Sequence, residues 1–137
     1  MTASETTEAL RRKVSTMSRL LHDRDPAIVD ELWSPGFRLV GSEAGEIAAN
    51  PDELHALFKM LFARPVRHAF DFSRFDVDRE GNIAWLFAEG HLVMTGDAGV
   101  SRCPYRLTAI FQHTGTDWIW RLFSGAEPAA PVEHSQD

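Results

Sequence analysis

Four polar side chains in the second half of the chain have types and spacings that could do chemistry. Glu89 and His91 lie two residues apart in a stretch that alternates like a β-strand, so their Cα atoms would be roughly 6.6 Å apart on one side. A carboxyl between apolar walls can act as a base or an acceptor, with the imidazole as its proton partner. The alternative is that both lie on a wet rim. Tyr105, the only tyrosine, could donate to a carbonyl or a developing oxyanion. Ser124 could contribute a hydroxyl to a ligand, but the sequence shows no His or Asp that would make it the nucleophile of a hydrolase triad.

Metal and thiol chemistry have little support in the sequence. Cys103 is the only cysteine among 137 residues, and a lone cysteine usually behaves as a small buried hydrophobe. The six histidines include no pair at the i, i+4 or i, i+2 spacing that metal sites often use. We therefore predict no metal and no cofactor.

The charge excludes some partners. A formal net charge of -6 without a basic stripe opposes nucleic-acid binding, which depends on clustered Lys and Arg. The first residues, MTASETTEAL, carry no basic region before an apolar run, and no segment approaches the roughly 20 apolar residues that cross a bilayer. We expect a cytoplasmic protein without a membrane partner.

Three helices are predicted before the long strands. The first has Leu10, Val14, Met17 and Leu21 on one face. The second begins at Asp25 with Pro26 in its first turn, and Ser34 to Gly36 end it. Short strands from Phe37 to Val40 and near Glu46 to Ala48 form a hairpin, after which Asn50 caps the third helix with Pro51 first and Glu53 three residues after the cap.

From Val66 onward the period of the apolar residues changes to two. Four strands are predicted at about 66–78, 82–95, 100–113 and 117–126, joined by turns at Gly81, Gly96 to Gly99 and Gly115. Helices followed by a curved antiparallel sheet define an α+β domain. We assign residues 1–126 to one domain and expect a mobile tail over residues 127–137.

Several segments resemble the SnoaL-like branch of the nuclear transport factor two-like superfamily. They read FRLVGSEAGEIAANPDEL, NIAWLFAEG, PYRLTAIFQ and DWIWRLFSGAEP. The resemblance implies a cone-shaped α+β barrel, in which three helices pack on a sheet of a short hairpin and a four-strand meander. Members include isomerases, cyclases, dehydratases and association domains, so the fold leaves the activity open. Ser124 and Ala126 stand where relatives often carry His and Ser, which weakens an inherited catalytic role.

The predicted pocket lies on the more aromatic face of the strands, because rings that each bury about 150–250 Å² suit the inside of a cone. The predicted inner set is Ile83, Trp85, Phe87, Glu89, His91, Cys103, Tyr105, Leu107, Ala109, Phe111, Trp118, Trp120, Leu122 and Ser124. The other face would expose Leu86, Leu92, Met94, Ile110 and Phe123. Because that surface is too apolar for water, and because sheet-to-sheet dimers are common in the family, we predict a homodimer.

Three functions remain open. The first is a domain that binds a small organic ligand, with Trp85, Phe87, Tyr105, Leu107, Trp120 and Ser124 in contact with it. The second is an acid/base isomerase, cyclase or dehydratase with Glu89 and His91 as catalytic residues. The third is an association module without a ligand.

Two charged clusters are assigned lesser roles: Glu43 and Glu46 with Arg38 form a solvated edge, and Arg64, Arg67 and His68 form a loop cluster or, alternatively, a gate over the pocket.

Overall fold

The computed structural model describes residues 1–131. Residues 132–137, the greater part of the predicted tail, lie outside the described residues, so its mobility stays a prediction. The helices are α1 (Ala3–His22), α2 (Ile28–Leu32) and α3 (Pro51–Phe62). The strands are β1 (Arg38–Val40), β2 (Ile47–Ala48), β3 (Arg67–Glu80), β4 (Ile83–Gly96), β5 (Gly99–His113) and β6 (Trp118–Ala126). This is the predicted α+β order of elements, confirmed over the described residues.

Helix α1 begins and packs as its sequence requires. Thr2 caps it, because its hydroxyl accepts from the Glu5 N–H at 3.0 Å while the Glu5 carboxylate accepts from the Thr2 N–H at 3.2 Å. The predicted stripe of Leu10, Val14 and Met17 is buried. On the neighbouring face, the Ser18 hydroxyl accepts from the Phe70 N–H at 2.8 Å and so ties α1 to β3.

Helix α3 has the predicted cap with one difference. Asn50 Oδ1 accepts from the Glu53 N–H at 2.8 Å, and Pro51 occupies the first turn. The Glu53 carboxylate reaches back to the Ala49 N–H at 2.8 Å and not to Asn50. The reciprocal hydrogen bond of this capping box therefore goes to Ala49, the residue before the N-cap, and not to the N-cap itself. Helix α2 is shorter than predicted, since Asp25 to Ala27 form a turn before Ile28.

The six strands form one sheet in the order β2-β1-β6-β5-β4-β3. Strands β3 to β6 make the predicted antiparallel meander, and β1 joins β6 in parallel while pairing with β2 in an antiparallel hairpin. The sheet is open, with β2 and β3 at its edges. The predicted barrel is thus a curved sheet whose inner face is covered by the helices.

Two register shifts change which side chains face inward. One lies between Phe72 and Arg74 in β3, and the other lies opposite Ile110 and Phe111, where Arg121 is skipped in β6. An extra residue in one strand moves all following side chains of that strand to the opposite face. In β3 and in β6, the residues that face inward are therefore odd-numbered on one side of the bulge and even-numbered on the other, or the reverse.

No helix in the described part of the chain is long and apolar enough to cross a membrane.

Candidate functional site

Strand β4 presents the face opposite to the predicted one. Leu86 and Ala88 are buried, whereas Trp85 is 42% exposed. The cause is the register with β5, in which Gly90 lies opposite Tyr105 and Ala88 opposite Leu107. Small residues on β4 leave room for the large residues of β5 on the shared inner face. The prediction that Trp85, Phe87, Glu89 and His91 line the interior is wrong.

Strand β6 follows the predicted phase only up to its bulge. Trp120 is fully buried, but beyond Arg121 it is Phe123 and Gly125 that are buried, while Ser124 pairs with Thr108 on the outer face. The proposed pocket role of Ser124 is therefore corrected. The predicted outer position of Phe123 was wrong for the same reason, and those of Leu86, Leu92 and Met94 were wrong because of the β4 register.

The residues predicted as catalytic meet other partners. Glu89 lies opposite Arg106, and its carboxylate accepts from the guanidinium at 3.4 Å across the outer face. The Glu89 side chain is 43% exposed. His91 lies between Asp71 and Pro104 in the same outer layer. Neither residue lines the cavity described next.

The cavity lies between the inner face of the sheet, helix α3 and the β1–β2 hairpin, and has a volume of about 190 Å³. Its walls are mostly apolar and come from five elements: Leu21, Leu57, Phe58, Phe70, Leu92 and Phe123. Tyr105 is the one predicted ligand-binding residue that lines it, while Leu107 and Trp120 are fully buried in the core beside it.

Polar side chains from three separate segments line this cavity together. Glu46 comes from the hairpin and His68 from β3, and each is only 9% exposed; Tyr105 from β5 is 4% exposed. Glu46 Oε1 accepts from the Glu43 N–H at 2.8 Å, but the His68 ring nitrogens have no hydrogen-bond partner within residues 1–131. We call Glu46, His68 and Tyr105 the polar end.

Burial changes the proton affinities of the polar end. Desolvation raises the pKa of Glu46, and the nearby Glu43 carboxylate adds to the rise against the lowering effect of the Glu43 N–H. Desolvation lowers the pKa of His68, and the Arg64 guanidinium lowers it further. Desolvation also raises the pKa of Tyr105, with the Glu46 carboxyl adding to it. At neutral pH the imidazole and the phenol are therefore uncharged.

The rim of the cavity is closed by an ion pair. Arg64 donates to both carboxylate oxygens of Glu43 at 3.1 and 2.8 Å, linking the segment after α3 to the β1–β2 hairpin. The two side chains are 33% and 50% exposed. Arg24 also binds the segment after α3, because its guanidinium donates to the carbonyl of Arg64 at 2.7 Å. Arg64 thus lines the cavity, whereas Arg67 donates to the His22 carbonyl at 2.8 Å and does not line it.

Sequence reasoning missed Glu46 as a site residue and named His68 only in the alternative gate over the pocket. Glu46 was assigned to a solvated edge with Glu43 and Arg38, yet it is buried, while Arg38 donates to the carbonyls of Phe37 and Ala49. The alternation of His68 with Phe70 and Phe72 in β3 was the available signal for an inward histidine. No comparable pattern marks Glu46, because its burial results from the fold of the hairpin.

A metal has no prepared place in the described part of the chain. Among residues 1–131 no three His, Cys, Asp or Glu side chains lie close enough to hold one ion. Cys103 donates to the Glu127 carboxylate at 3.2 Å, and burial raises the pKa of its thiol.

An open sheet curved around an apolar cavity with one polar end defines the class of the nuclear transport factor two-like fold. The sequence profile of the SnoaL-like domain matches residues 13–122. The chain belongs to the SnoaL-like domain family. No protein of curated function matches the sequence.

Solved structures share the fold at low sequence identity. A proposed dehydratase of the same superfamily from Streptomyces avermitilis has a TM-score of 0.80 at 12% identity, covering 94% of this chain and 100% of that one. A proposed aromatic ring hydroxylase from Novosphingobium aromaticivorans has a TM-score of 0.80 at 16% identity, covering 95% and 94%. A proposed calcium/calmodulin-dependent kinase II association domain from Xanthomonas campestris has a TM-score of 0.73 at 16% identity, covering 93% and 89%. At these identities the similarity concerns the fold alone.

Proposed function

We propose that this protein is a small-molecule-binding domain whose ligand lies in the cavity against Glu46, His68 and Tyr105. The observation that carries the proposal is His68, nine-tenths buried at the cavity with no partner for its ring nitrogens within residues 1–131. Buried polar groups normally have a hydrogen-bond partner. A bound molecule with a complementary polar group would supply it.

The size of the cavity favours a ligand over a filled interior. Its volume of about 190 Å³ exceeds that of an engineered apolar cavity of about 150 Å³ that binds benzene. The space accommodates one ring with a polar substituent. An association module without a ligand would need neither this space nor unpaired polar groups around it.

Ligand titration by heteronuclear NMR tests the proposal, with phenol and toluene as probes. We expect phenol to shift the resonances of His68, Phe70 and Leu92 more strongly than toluene does, because its hydroxyl can pair with the polar end. Leu57→Trp should abolish both effects by filling the cavity. The matched control Leu122→Trp, on the outer face, should leave them intact. Binding that survives Leu57→Trp would contradict the assigned site.

A second candidate is an acid/base enzyme in the same cavity, of the isomerase, cyclase or dehydratase type. What favours it is the opposite direction of two pKa shifts, raised for Glu46 and lowered for His68, because groups with perturbed pKa values in a cavity are candidate acids and bases. Neutral His68 would take a proton from a carbon beside a carbonyl, and the Tyr105 hydroxyl would hold the developing oxyanion. The dehydratase assignment of one structural relative agrees with this chemistry.

Exchange of the α-protons of cyclohexanone in deuterated water tests this candidate without knowledge of the substrate. We expect the protein to accelerate the exchange, His68→Gln to remove the acceleration, and Glu89→Gln on the outer face to retain it. An unaltered rate in His68→Gln would exclude the proposed base.

A homodimer through the outer face of the sheet remains part of the proposal, with its residues revised. Rows such as Trp85, Ile110 and Leu122 lie side by side on that face. In the row of Ser124, two positions further along β6, Val40 and Ile47 pair with each other and are 37% and 64% exposed. A contiguous apolar surface of this kind is usually covered. The cytoplasmic location stays a prediction from the sequence.

A further inference from the structure

The charges around the polar end are unbalanced in a way that bears on the ligand. Three carboxyl groups line the cavity, those of Glu43, Glu46 and Glu127, whereas Arg64 is the one permanently charged cation among the lining residues. Arg64 is already engaged by both oxygens of Glu43. His68 is kept neutral by desolvation and by Arg64. An anionic ligand would find no free cation among the described residues of this lining.

Glu46 lacks the partner that a buried carboxylate normally has. One of its oxygens accepts from the Glu43 N–H. No Lys, Arg or His forms an ion pair with it within residues 1–131, since the nearby Arg64, which lowers the pKa of Glu46, is paired with Glu43. A buried charge without a counter-charge is unfavourable, whereas a paired and hydrogen-bonded one is tolerated. A cationic group that enters the cavity would supply the ion-pair partner that the Glu46 carboxylate lacks.

The other polar groups of the polar end and of the adjoining lining can also accept hydrogen bonds. A neutral imidazole offers one ring nitrogen as an acceptor, and the hydroxyl oxygens of Tyr105 and Ser42 offer further ones. His68 is an observation independent of the carboxyls, since it is 9% exposed, lines the cavity and has unpaired ring nitrogens within the described chain. An ammonium or amidinium group carries several N–H donors, which match these acceptors.

We infer that the cavity takes a small, mostly apolar molecule whose polar group is a protonated nitrogen, and that it rejects carboxylates of the same shape. The inference rests on the proposed binding function and narrows its ligand class. The apolar part would lie against Phe58, Phe70 and Phe123, and the nitrogen would lie at Glu46 and His68. The cavity of about 190 Å³ limits the apolar part to about one ring.

Three probes of nearly one shape and different charge test the inference: benzamidine, benzamide and benzoate, titrated into the protein near neutral pH by calorimetry and NMR. We expect benzamidine to bind about tenfold more tightly than benzamide, the difference between a charge-assisted and a neutral hydrogen bond. Benzoate should bind most weakly. Glu46→Gln should bring the ratio of benzamidine to benzamide affinity close to one, while Glu89→Gln, the same change on the outer face, should leave the ratio unaltered.

Benzamide binding to Glu46→Gln shows that the variant still folds around its cavity, and the order of the three probes in the unchanged protein is independent of any variant. Benzoate binding as tightly as benzamidine, or an unchanged ratio in Glu46→Gln, would overturn the inference while leaving the binding function standing. If none of the three probes nor phenol binds, the proposed binding function itself is overturned, and the inference with it.

Discussion

At the residue scale, the position of Tyr105 depends on a glycine in the neighbouring strand. A Cβ atom placed on Gly125 would overlap the hydroxyl and ring of Tyr105. The ring of Tyr105 therefore packs directly against the backbone of Gly125, and this close approach fixes the position of Tyr105 at the cavity. Gly125 is thus a positioning residue for the polar end.

We predict that Gly125→Ala destabilises the protein by about 1–3 kcal/mol, because overpacking forces the buried ring to move. Urea unfolding measures the loss, and NMR should show displaced Tyr105 ring resonances. Ser124→Ala, one residue away on the outer face, is the control and should change the free energy of unfolding by less than about 0.5 kcal/mol. Equal stability of Gly125→Ala and the unchanged protein would contradict the described packing.

His68 should make stability depend on pH. Its folded-state pKa lies below the ordinary value of 6.5, because of burial and of Arg64. A lowered pKa means that the unfolded chain binds the proton more readily, so stability present above pH 6.5 is lost as the pH falls through the folded-state pKa. Glu46, whose pKa is raised, acts in the opposite direction as the pH falls.

The contribution of His68 is isolated by comparison with His68→Gln, which retains Glu46, Glu43 and Arg64 around the site. Between about pH 7.5 and about pH 5.5 the unchanged protein should lose more free energy of unfolding than the variant does, as measured by urea unfolding at each pH. Parallel losses in the two proteins would show that His68 does not titrate abnormally.

At the element scale, the hairpin between β4 and β5 decides which side chains face inward. Its loop is Asp97 and Ala98 between the paired Gly96 and Gly99. A two-residue loop pairs even-numbered with odd-numbered positions, so Tyr105 and Glu89 cannot share a face. The glycines at positions 96 and 99, which set this pairing of even-numbered with odd-numbered residues, are visible in the sequence. The aromatic bulk of Trp85 and Phe87 led to the opposite assignment.

Helix α3 supplies a wall of the cavity and depends on its cap. Asn50→Ala should reduce stability by about 1 kcal/mol, because the Glu53 N–H loses its acceptor. Asn50→Asp keeps an acceptor oxygen and should remain within a few tenths of a kcal/mol of the original. Thermal unfolding followed by circular dichroism measures both changes. A larger loss in Asn50→Asp than in Asn50→Ala would contradict the observed cap.

At the scale of the whole molecule, the open sheet leaves one face without a helix. The exposed Trp85 and its neighbours Ile110 and Leu122 form an apolar row across it. We predict that Ile110→Lys produces a monomer, since a charge in the middle of an apolar interface is left without a partner. Sedimentation equilibrium gives the mass, and phenol binding should be retained because the cavity lies on the other face.

Thr116→Lys, in the β5–β6 turn, is the control for the added charge and should leave the dimer intact. A protein that is monomeric without any substitution would refute the dimer and leave the outer face unexplained.

The sequence by itself determined the elements of this protein. Helical and strand periods, the cap at Asn50 and the glycines at the turns are local signals, because each depends on residues within a few positions of one another. They predict the order of helices and strands correctly, and with it the α+β class.

Apart from the β4–β5 parity, only the tertiary structure decided which side chains meet. Bulges at Ser73 and Arg121 reverse the faces of β3 and β6, and an extra residue in a strand is defined only by the neighbour with which it pairs. Glu46, His68 and Tyr105 belong to three segments that are distant along the chain. Their burial, and the pKa shifts that follow from it, arise when the hairpin and α3 cover the inner face of the sheet, because desolvation is a property of the assembled surroundings and not of the residue.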